Sequence, residues 1–128
     1  MFVLLDDVAP MSGGTLVVAG SHRLLNDQGH LRAKDVKQGL QRWPWFRRLL
    51  QGSDSPPSAL GESFDVDGVD CAIVELSGQA GDVFFTDLRL LHTVSANAGT
   101  TPRMMATQRF VATEHMVETY GPGAASRT

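Results

Sequence analysis

The sequence contains a single cysteine and no long apolar run. One cysteine, Cys71, excludes an internal disulfide and a Cys-x-x-Cys metal site, and its apolar neighbours are typical of a small core residue. No stretch approaches the ~18 apolar residues of a membrane-spanning helix, so we expect no membrane partner. Residues 1–5 lack a basic segment and lead directly into Asp6 and Asp7, which is not the pattern of a signal peptide. We therefore expect a cytoplasmic protein.

An excess of positive charge is also missing. The 11 lysine and arginine residues are outnumbered by 14 acidic residues, which gives a formal net charge of -3. Phosphate backbones are bound by clustered cations, so this balance argues against a nucleic-acid partner. The densest basic cluster interleaves arginines with aromatic residues: Arg42, Trp43, Trp45, Phe46, Arg47 and Arg48. The solvated face of a helix explains that cluster equally well.

Short apolar runs bounded by glycine, proline and serine are present in both halves of the chain. Such runs predict antiparallel strands near 2–6, 15–19, 72–76, 82–86 and 103–112. The first two strands are expected to pair with each other, because a turn containing proline and glycine joins them. A polar loop is predicted from Thr93 to Pro102. By length the chain is one domain, over 1–120, with a flexible tail at 121–128.

The middle of the chain has a different pattern. Apolar residues recur there at intervals of three and four, at Val36, Leu40, Trp43, Phe46 and Leu50. This spacing predicts helix over about 34–51, interrupted at Pro44. Serine, proline and glycine then predict a loop over about 52–63. The expected fold class is therefore mainly β, with a helical insertion.

Two residues point to chemistry. His92 follows an apolar segment and is expected at the mouth of an apolar cavity, where a neutral imidazole can bind a divalent metal. Arg103 begins the next strand near the same end, and an arginine in an apolar barrel has to meet an anion. A metal together with a carboxylate clamp can chelate a 2-oxo diacid.

The same two residues also fit a plainer interpretation. His92 would then be a hydrogen-bonded core histidine, and Arg103 would pair with Asp82 or Asp87. The spacing alone leaves both interpretations open.

Two blocks of sequence carry a resemblance to a known family. The first contains LLDDV at 4–8 and GGTLVVAGSH at 13–22, and the second contains EL at 75–76, AGDVFF at 80–85, LH at 91–92, Asn97 and PR at 102–103. In this order they resemble the C-terminal part of the domain in the phytanoyl-CoA dioxygenase-like family of Fe(II)/2-oxoglutarate-dependent oxygenases. The blocks touch most of the chain outside its helical middle.

The resemblance implies a fold, an activity and two site residues. The fold would be part of a double-stranded β-helix, a cupin-like jelly roll. The activity would be hydroxylation of a small organic substrate with Fe(II) and 2-oxoglutarate. His92 matches the distal iron-binding histidine, and Arg103 matches the arginine that holds the far carboxylate of 2-oxoglutarate. The resemblance therefore implies that both side chains point into one cavity, lined by Leu16, Val18, Phe84 and Met105 or their neighbours. No separate catalytic residue is assigned. His22 follows Gly20 and Ser21, which end the predicted strand, and it resembles a structural residue of the family.

The chain departs from the family pattern in two places. None of its four histidines begins a His-x-Asp or His-x-Glu pair: His22, His30, His92 and His115. The facial triad of iron ligands is therefore incomplete. Val94 stands where the family often carries a hydroxyl, with Thr93 and Ser95 on either side.

The incomplete triad leaves several functions open. The chain alone is expected to be inactive, with a missing N-terminal segment or a homodimer completing the barrel. The alternative is a non-catalytic module of the same fold, which binds a small carboxylate or another protein.

Overall fold

The strands of the protein form two antiparallel sheets. The computed structural model describes residues 1–25, 33–44, 46–47 and 60–110. Its strands are β1 (Phe2–Leu4), β2 (Thr15–Ala19), β3 (Ser63–Val66), β4 (Val69–Leu76), β5 (Val83–Phe84), β6 (His92–Val94) and β7 (Met105–Thr107). One sheet has the order β5-β1-β7, and the other has the order β3-β4-β2-β6. The described part of the chain is therefore mainly β, as predicted.

A core cluster forms where apolar faces of strands from both sheets meet. Phe2 of the three-stranded sheet contacts Val17 and Leu76 of the four-stranded sheet, and all three side chains are buried. Alternation along β1 explains this, because Phe2 and Leu4 point inward while Val3 points outward. Partly buried residues complete this cluster: Phe84, Leu90 and Met105. The two sheets therefore face each other, as in a sandwich.

A second core lies on the opposite face of the four-stranded sheet. Val18, Val66 and Cys71 are buried there, with Leu24 and Trp43 packed against them. Residues of the helical part of the chain thus cover this face. Burial raises the pKa of the Cys71 thiol, and the nearby carboxylates Asp65 and Asp70 raise it further.

Helical residues occur between β2 and β3, and they include Pro44, Phe46 and Arg47. A 3₁₀ helix spans Ser21–Leu25, and the helix α1 spans Ala33–Leu40, beginning one residue before the predicted helical range. Gly20 ends β2 with a φ of 86°, and a Cβ at this position would collide with the Asp70 carbonyl. Only glycine fits both conditions without strain. No described helix is long and apolar enough to cross a membrane.

The β3–β4 hairpin was not predicted. Asp67 and Gly68 join the two strands, and both have positive φ angles, 50° and 81°. This conformation is typical of the tight turns that connect antiparallel strands, for which Asp-Gly is a favoured sequence. The Asp65 side chain also accepts a hydrogen bond from the Gly68 N–H at 3.1 Å. The predicted loop at 52–63 was therefore wrong at Ser63, where β3 begins; residues 52–59 lie outside the described residues.

The expected pairing of the first two strands was wrong. β1 and β2 lie in different sheets, and the segment between them crosses from one sheet to the other. Its backbone groups bond to distant residues: the Glu75 carboxylate accepts from Met11 N at 2.6 Å and from Gly14 N at 2.8 Å. Val8 forms an isolated bridge with Gly78. These long-range bonds replace those of a hairpin.

Other strands are shorter than the apolar runs suggested. The expected strands at 2–6, 82–86 and 103–112 are observed over Phe2–Leu4, Val83–Phe84 and Met105–Thr107. The predicted polar loop from Thr93 was also wrong at its start, because Thr93 and Val94 belong to β6. The ends of the predicted helix and last strand, at 48–51 and 111–112, and the expected tail at 121–128 lie outside the described residues.

Candidate functional site

A cavity lies between the ends of the two sheets. Its volume is about 200 Å³, and its lining residues are Phe2, Thr15, His92, Thr93, Val94, Arg103, Met105 and Thr107. β6 is the last strand of one sheet and β7 is the last strand of the other. The expectation that His92 and Arg103 share a cavity is confirmed.

The strand register explains which side chains reach this cavity. Thr15 is opposite Val94 and Val17 is opposite His92, so these four side chains share one face of the four-stranded sheet. On the facing sheet, Met105 is opposite Leu4 and Thr107 is opposite Phe2, and both point inward. Arg103 lies two residues before Met105 and extends the same face.

The predicted lining residues were only partly right. Met105 lines the cavity, but Leu16, Val18 and Phe84 are not among its lining residues. Leu16 and Val18 alternate with Thr15 and therefore point to the other face of their sheet, where Val18 joins the second core. Phe84 packs instead against the cluster of Phe2, Val17 and Leu76.

His92 is held by two contacts. Its Nδ1 lies 2.9 Å from the Leu90 carbonyl oxygen. Because a carbonyl can only accept, Nδ1 carries the proton, and in the neutral ring Nε2 keeps its lone pair. The ring also packs edge-on against Phe2, with ring centroids 5.5 Å apart. A hydrogen bond from the second ring nitrogen to a carbonyl is the usual support of a metal-binding histidine.

Arg103 reaches across to the facing sheet. Its Nη1 donates a hydrogen bond to Thr15 Oγ1 at 2.9 Å, and the Thr15 hydroxyl lies 3.3 Å from Met105 Sδ. Within the described residues Arg103 forms no ion pair with a carboxylate. Its guanidinium therefore keeps donors for an anion in the cavity. Sequence reasoning missed Thr15; the one available signal was a polar residue at the start of an apolar strand.

The plainer interpretation of Arg103 was wrong. Asp82, one of its expected partners, accepts a hydrogen bond from Gln79 N at 2.8 Å. Asp87, the other, pairs with Arg89 at 2.7 Å, and this contact lowers the pKa of the Asp87 carboxyl to about 2. His92 is also exposed rather than a core residue.

The other candidate residues lie away from the cavity. His22 lies in the 3₁₀ helix and does not line the cavity. Its charge contributes to lowering the pKa of Asp87, after the larger effect of Arg89. Asp6 and Asp7 accept backbone hydrogen bonds, Asp6 from Asp7 N at 2.9 Å and Asp7 from Ala80 N at 2.8 Å. Both therefore stabilise turns.

The hydroxyls beside His92 have different surroundings. Val94 is 69% exposed at the cavity mouth, at the position where a hydroxyl was expected from the family pattern. Thr93 also lines the cavity, while Ser95 Oγ is buried and has no hydrogen-bond partner within the described residues.

The residues present fit a carboxylate better than a complete iron centre. No group of three metal-binding side chains occurs within residues 1–25, 33–44, 46–47 and 60–110. Among the described residues that line the cavity, only His92 is of a common metal-binding type. A facial triad needs two more ligands, so the described residues do not by themselves form the iron site. A carboxylate, in contrast, would meet the donors of Arg103.

Comparison with known proteins decides the family. The family model for phytanoyl-CoA dioxygenase (PhyH) matches residues 1–105, which is 105 of the 128 residues. The chain belongs to the phytanoyl-CoA dioxygenase family. The match covers β1 to β6 and the first residue of β7, together with His92 and Arg103. No curated protein and no solved structure matched the chain. Membership relates the chain to Fe(II)/2-oxoglutarate-dependent oxygenases.

Proposed function

We propose that this chain carries the distal half of the active site of an Fe(II)/2-oxoglutarate-dependent hydroxylase. The observation that carries the proposal is the shared cavity, in which His92 and Arg103 come from the end strands of two facing sheets. Family membership and the facing antiparallel sheets support a partial double-stranded β-helix, with α1 as part of a helical insertion between β2 and β3. The substrate would be a small organic molecule.

In this proposal Arg103 binds the distal carboxylate of 2-oxoglutarate. A guanidinium binds a carboxylate through two parallel N–H donors, and the pairing is stronger where water is partly excluded. The hydrogen bond to Thr15 occupies one Nη1 donor and fixes the direction of the fork. No lining residue is acidic, so nothing in the described cavity competes with an anionic ligand.

His92 would supply one of three iron ligands. The Leu90 carbonyl holds the proton on Nδ1, which leaves Nε2 as the metal-binding atom. Bound iron would supply the oxygen chemistry of the family. The sequence has no His-x-Asp or His-x-Glu pair, so we propose that the other two ligands come from residues outside these 128.

Binding of 2-oxoglutarate to the purified chain tests the carboxylate site. We expect calorimetric binding that Arg103→Leu weakens at least about tenfold, since a charged hydrogen bond contributes roughly 1.5–3 kcal/mol. The matched control is Arg109→Leu, because Arg109 is exposed and does not line the cavity. An equal loss of 2-oxoglutarate affinity in both variants, or no loss of affinity in either, would refute the role of Arg103.

A turnover assay tests the iron site. Incubation with Fe(II), ascorbate and 2-oxoglutarate should release no more succinate than His92→Ala does, because one imidazole does not fix the open positions of the metal. Succinate above the level of that variant would show a ligand set within the chain. Binding of 2-oxoglutarate that is independent of any metal in every preparation would favour the non-catalytic carboxylate-binding module.

A further inference from the structure

Ser21 is completely buried next to the segment that leads into His92. Its side chain is 0% exposed. It follows Gly20, whose positive φ allows the close approach to the Asp70 carbonyl, and it begins the 3₁₀ helix. A buried hydroxyl needs a hydrogen-bond partner. Ser21 Oγ finds one far along the chain, because it accepts a hydrogen bond from Leu91 N at 2.9 Å.

The Leu91 N–H belongs to the same peptide group as the Leu90 carbonyl. A trans peptide group is planar, so its N–H and its C=O point in opposite directions. The Leu90 carbonyl oxygen lies 2.9 Å from His92 Nδ1. Ser21 Oγ and the His92 ring are therefore bound to opposite ends of one rigid peptide group. A rotation of this group that breaks one of the two contacts also disturbs the other.

The peptide groups on either side are held by backbone partners. Leu90 N donates to the Asp87 carbonyl at 3.1 Å, and the Leu91 carbonyl accepts from Val18 N at 2.9 Å. Between them, the Leu91 N–H bonds to a side chain, that of Ser21, in a partly buried position. Without this hydroxyl the N–H would lose its partner, and an unsatisfied N–H favours rotation of its peptide group towards another acceptor. The orientation of the Leu90 carbonyl thus depends on Ser21.

The packing of the His92 ring does not decide which ring nitrogen carries the proton. The Phe2 ring lies edge-on to it, with centroids 5.5 Å apart, and this contact restricts rotation of the ring. It offers no carbonyl or carboxylate to hold a proton. The Leu90 carbonyl does, and a peptide group that is hydrogen-bonded at both ends is polarised, which strengthens both bonds.

We propose that Ser21 is a positioning residue, which fixes the tautomer of His92 through the peptide group between Leu90 and Leu91. Its hydroxyl holds the Leu91 N–H, the Leu90 carbonyl then holds the proton on Nδ1, and Nε2 keeps its lone pair. The inference deepens the proposed function and rests on it, because a fixed tautomer matters where Nε2 binds a metal. The tautomer itself is a property of the chain and can be measured without any metal.

Nitrogen NMR of the isotope-labelled, metal-free chain at mildly alkaline pH measures the tautomer, and the signals absent from His92→Ala assign the ring. The Nδ1–H tautomer should predominate in the original chain. Ser21→Ala should lower the ratio of the Nδ1–H to the Nε2–H tautomer about fivefold, the effect of one net hydrogen bond. Ser21→Thr keeps the hydroxyl and should stay within about twofold of the original ratio. Ser21→Cys, with a weak acceptor in place of the hydroxyl, should shift the ratio in the same direction as Ser21→Ala.

A control variant separates positioning from a general loss of stability. Val8→Ala removes buried apolar volume in the segment between β1 and β2, where Val8 is 2% exposed and bridges Gly78. It should destabilise the chain and leave the tautomer ratio of His92 unchanged. Circular dichroism and urea unfolding show that each variant is folded.

Three results would overturn the proposal. The first is a predominant Nε2–H tautomer in the original chain, which needs no variant to be folded. The second is an unchanged tautomer ratio in folded Ser21→Ala or Ser21→Cys, which would reduce Ser21 to a partner of the Leu91 amide. The third is an equal shift of the ratio in Val8→Ala. Because the measurement uses neither iron nor 2-oxoglutarate, a failure of 2-oxoglutarate binding counts against the proposed function alone, and an unexpected tautomer counts against the role of Ser21 alone.

Discussion

Arg103 Nη1 donates a hydrogen bond to Thr15 Oγ1 at 2.9 Å and so links the two facing sheets. Thr15 is buried, 5% exposed, at the start of β2. Replacing its hydroxyl by a methyl group would leave an Arg103 donor without a partner inside the cavity. The link therefore contributes to stability and also orients the guanidinium that we propose binds a carboxylate.

Thr15→Val should reduce the free energy of unfolding by about 1–2 kcal/mol, since it leaves a partly buried charged donor unsatisfied. It should also weaken 2-oxoglutarate binding, because the guanidinium loses its fixed direction. Urea denaturation and calorimetry measure the two effects. The control is Thr107→Val, an exposed residue of the same cavity, whose stability should change by less than about 0.5 kcal/mol. Equal losses would contradict a specific role for Thr15.

Phe2→Ala should reduce the free energy of unfolding by about 3–5 kcal/mol, the usual cost of removing a buried phenylalanine. Phe2 is 7% exposed, belongs to the core cluster with Val17 and Leu76, and packs against the His92 ring. If the variant does not fold, Phe2→Leu should fold with a smaller loss. Phe85→Ala is the comparison, because Phe85 is 77% exposed and should cost little. A similar loss at both positions would show that Phe2 is not central to the core.

Cys71 should react slowly with a thiol reagent in the folded protein at mildly alkaline pH. The side chain is 2% exposed, and burial together with Asp65 and Asp70 raises its pKa. Thiolate is the reactive species, so both factors slow the reaction. In urea the rate should rise on the order of a hundredfold. Rapid reaction of the native chain would contradict the buried position, and the single cysteine makes the assignment unambiguous.

The Asp87–Arg89 pair should make stability depend on pH in the acid range. The pKa of Asp87 is lowered from 3.8 to about 2, first by the side-chain hydrogen bond from Arg89. A carboxyl whose pKa is lower in the folded state stabilises the fold above its unfolded pKa and loses this contribution as pH falls from about 4 towards 2. Asp87→Asn should therefore reduce the change of the melting temperature with pH over that interval. The effect is small and weakens with salt, because the pair is partly exposed.

A carboxylate without such a partner provides the comparison for Asp87. Glu62 is exposed and has no ion pair within the described residues. Glu62→Gln should leave the dependence of the melting temperature on acid pH as it is in the original chain. If both variants change the curve equally, the Asp87–Arg89 contact does not control it.

Gly20→Ala should destabilise the fold more than Gly61→Ala. Both glycines have positive φ angles, 86° and 83°, so both substitutions carry the same backbone strain of about 1 kcal/mol. Only at Gly20 would the new Cβ also meet backbone, at the Asp70 carbonyl, whereas the space around Gly61 is open. Thermal unfolding of the two variants separates the cost of backbone strain from the cost of the collision. An equal loss of stability in both would argue against the close approach of β2 and β4.

The candidate site could be found from the sequence only in part. His92 and Arg103 were identified by residue type, position after apolar segments and resemblance to the family. Thr15 was missed, because a one-residue change of register exchanges the face on which Thr15 lies with that of Leu16. β6 was missed too, because Thr93 and Val94 lie where a polar loop was expected.

The order of strands in the sheets could also be predicted from the sequence only in part. Local patterns located β2, most of β4 and the start of α1, because alternation and helical spacing are properties of neighbouring residues. The Asp67–Gly68 turn was also present in the sequence as a signal for the β3–β4 hairpin. The separation of β1 from β2 was not, since it depends on bonds from Met11 and Gly14 to the distant Glu75. The sequence by itself thus determined the family, the β-rich composition and two residues of the site. Tertiary structure alone decided which strands pair, which face Thr15 presents to Arg103 and how His92 and Arg103 come to one cavity, because those depend on contacts between residues far apart in the chain.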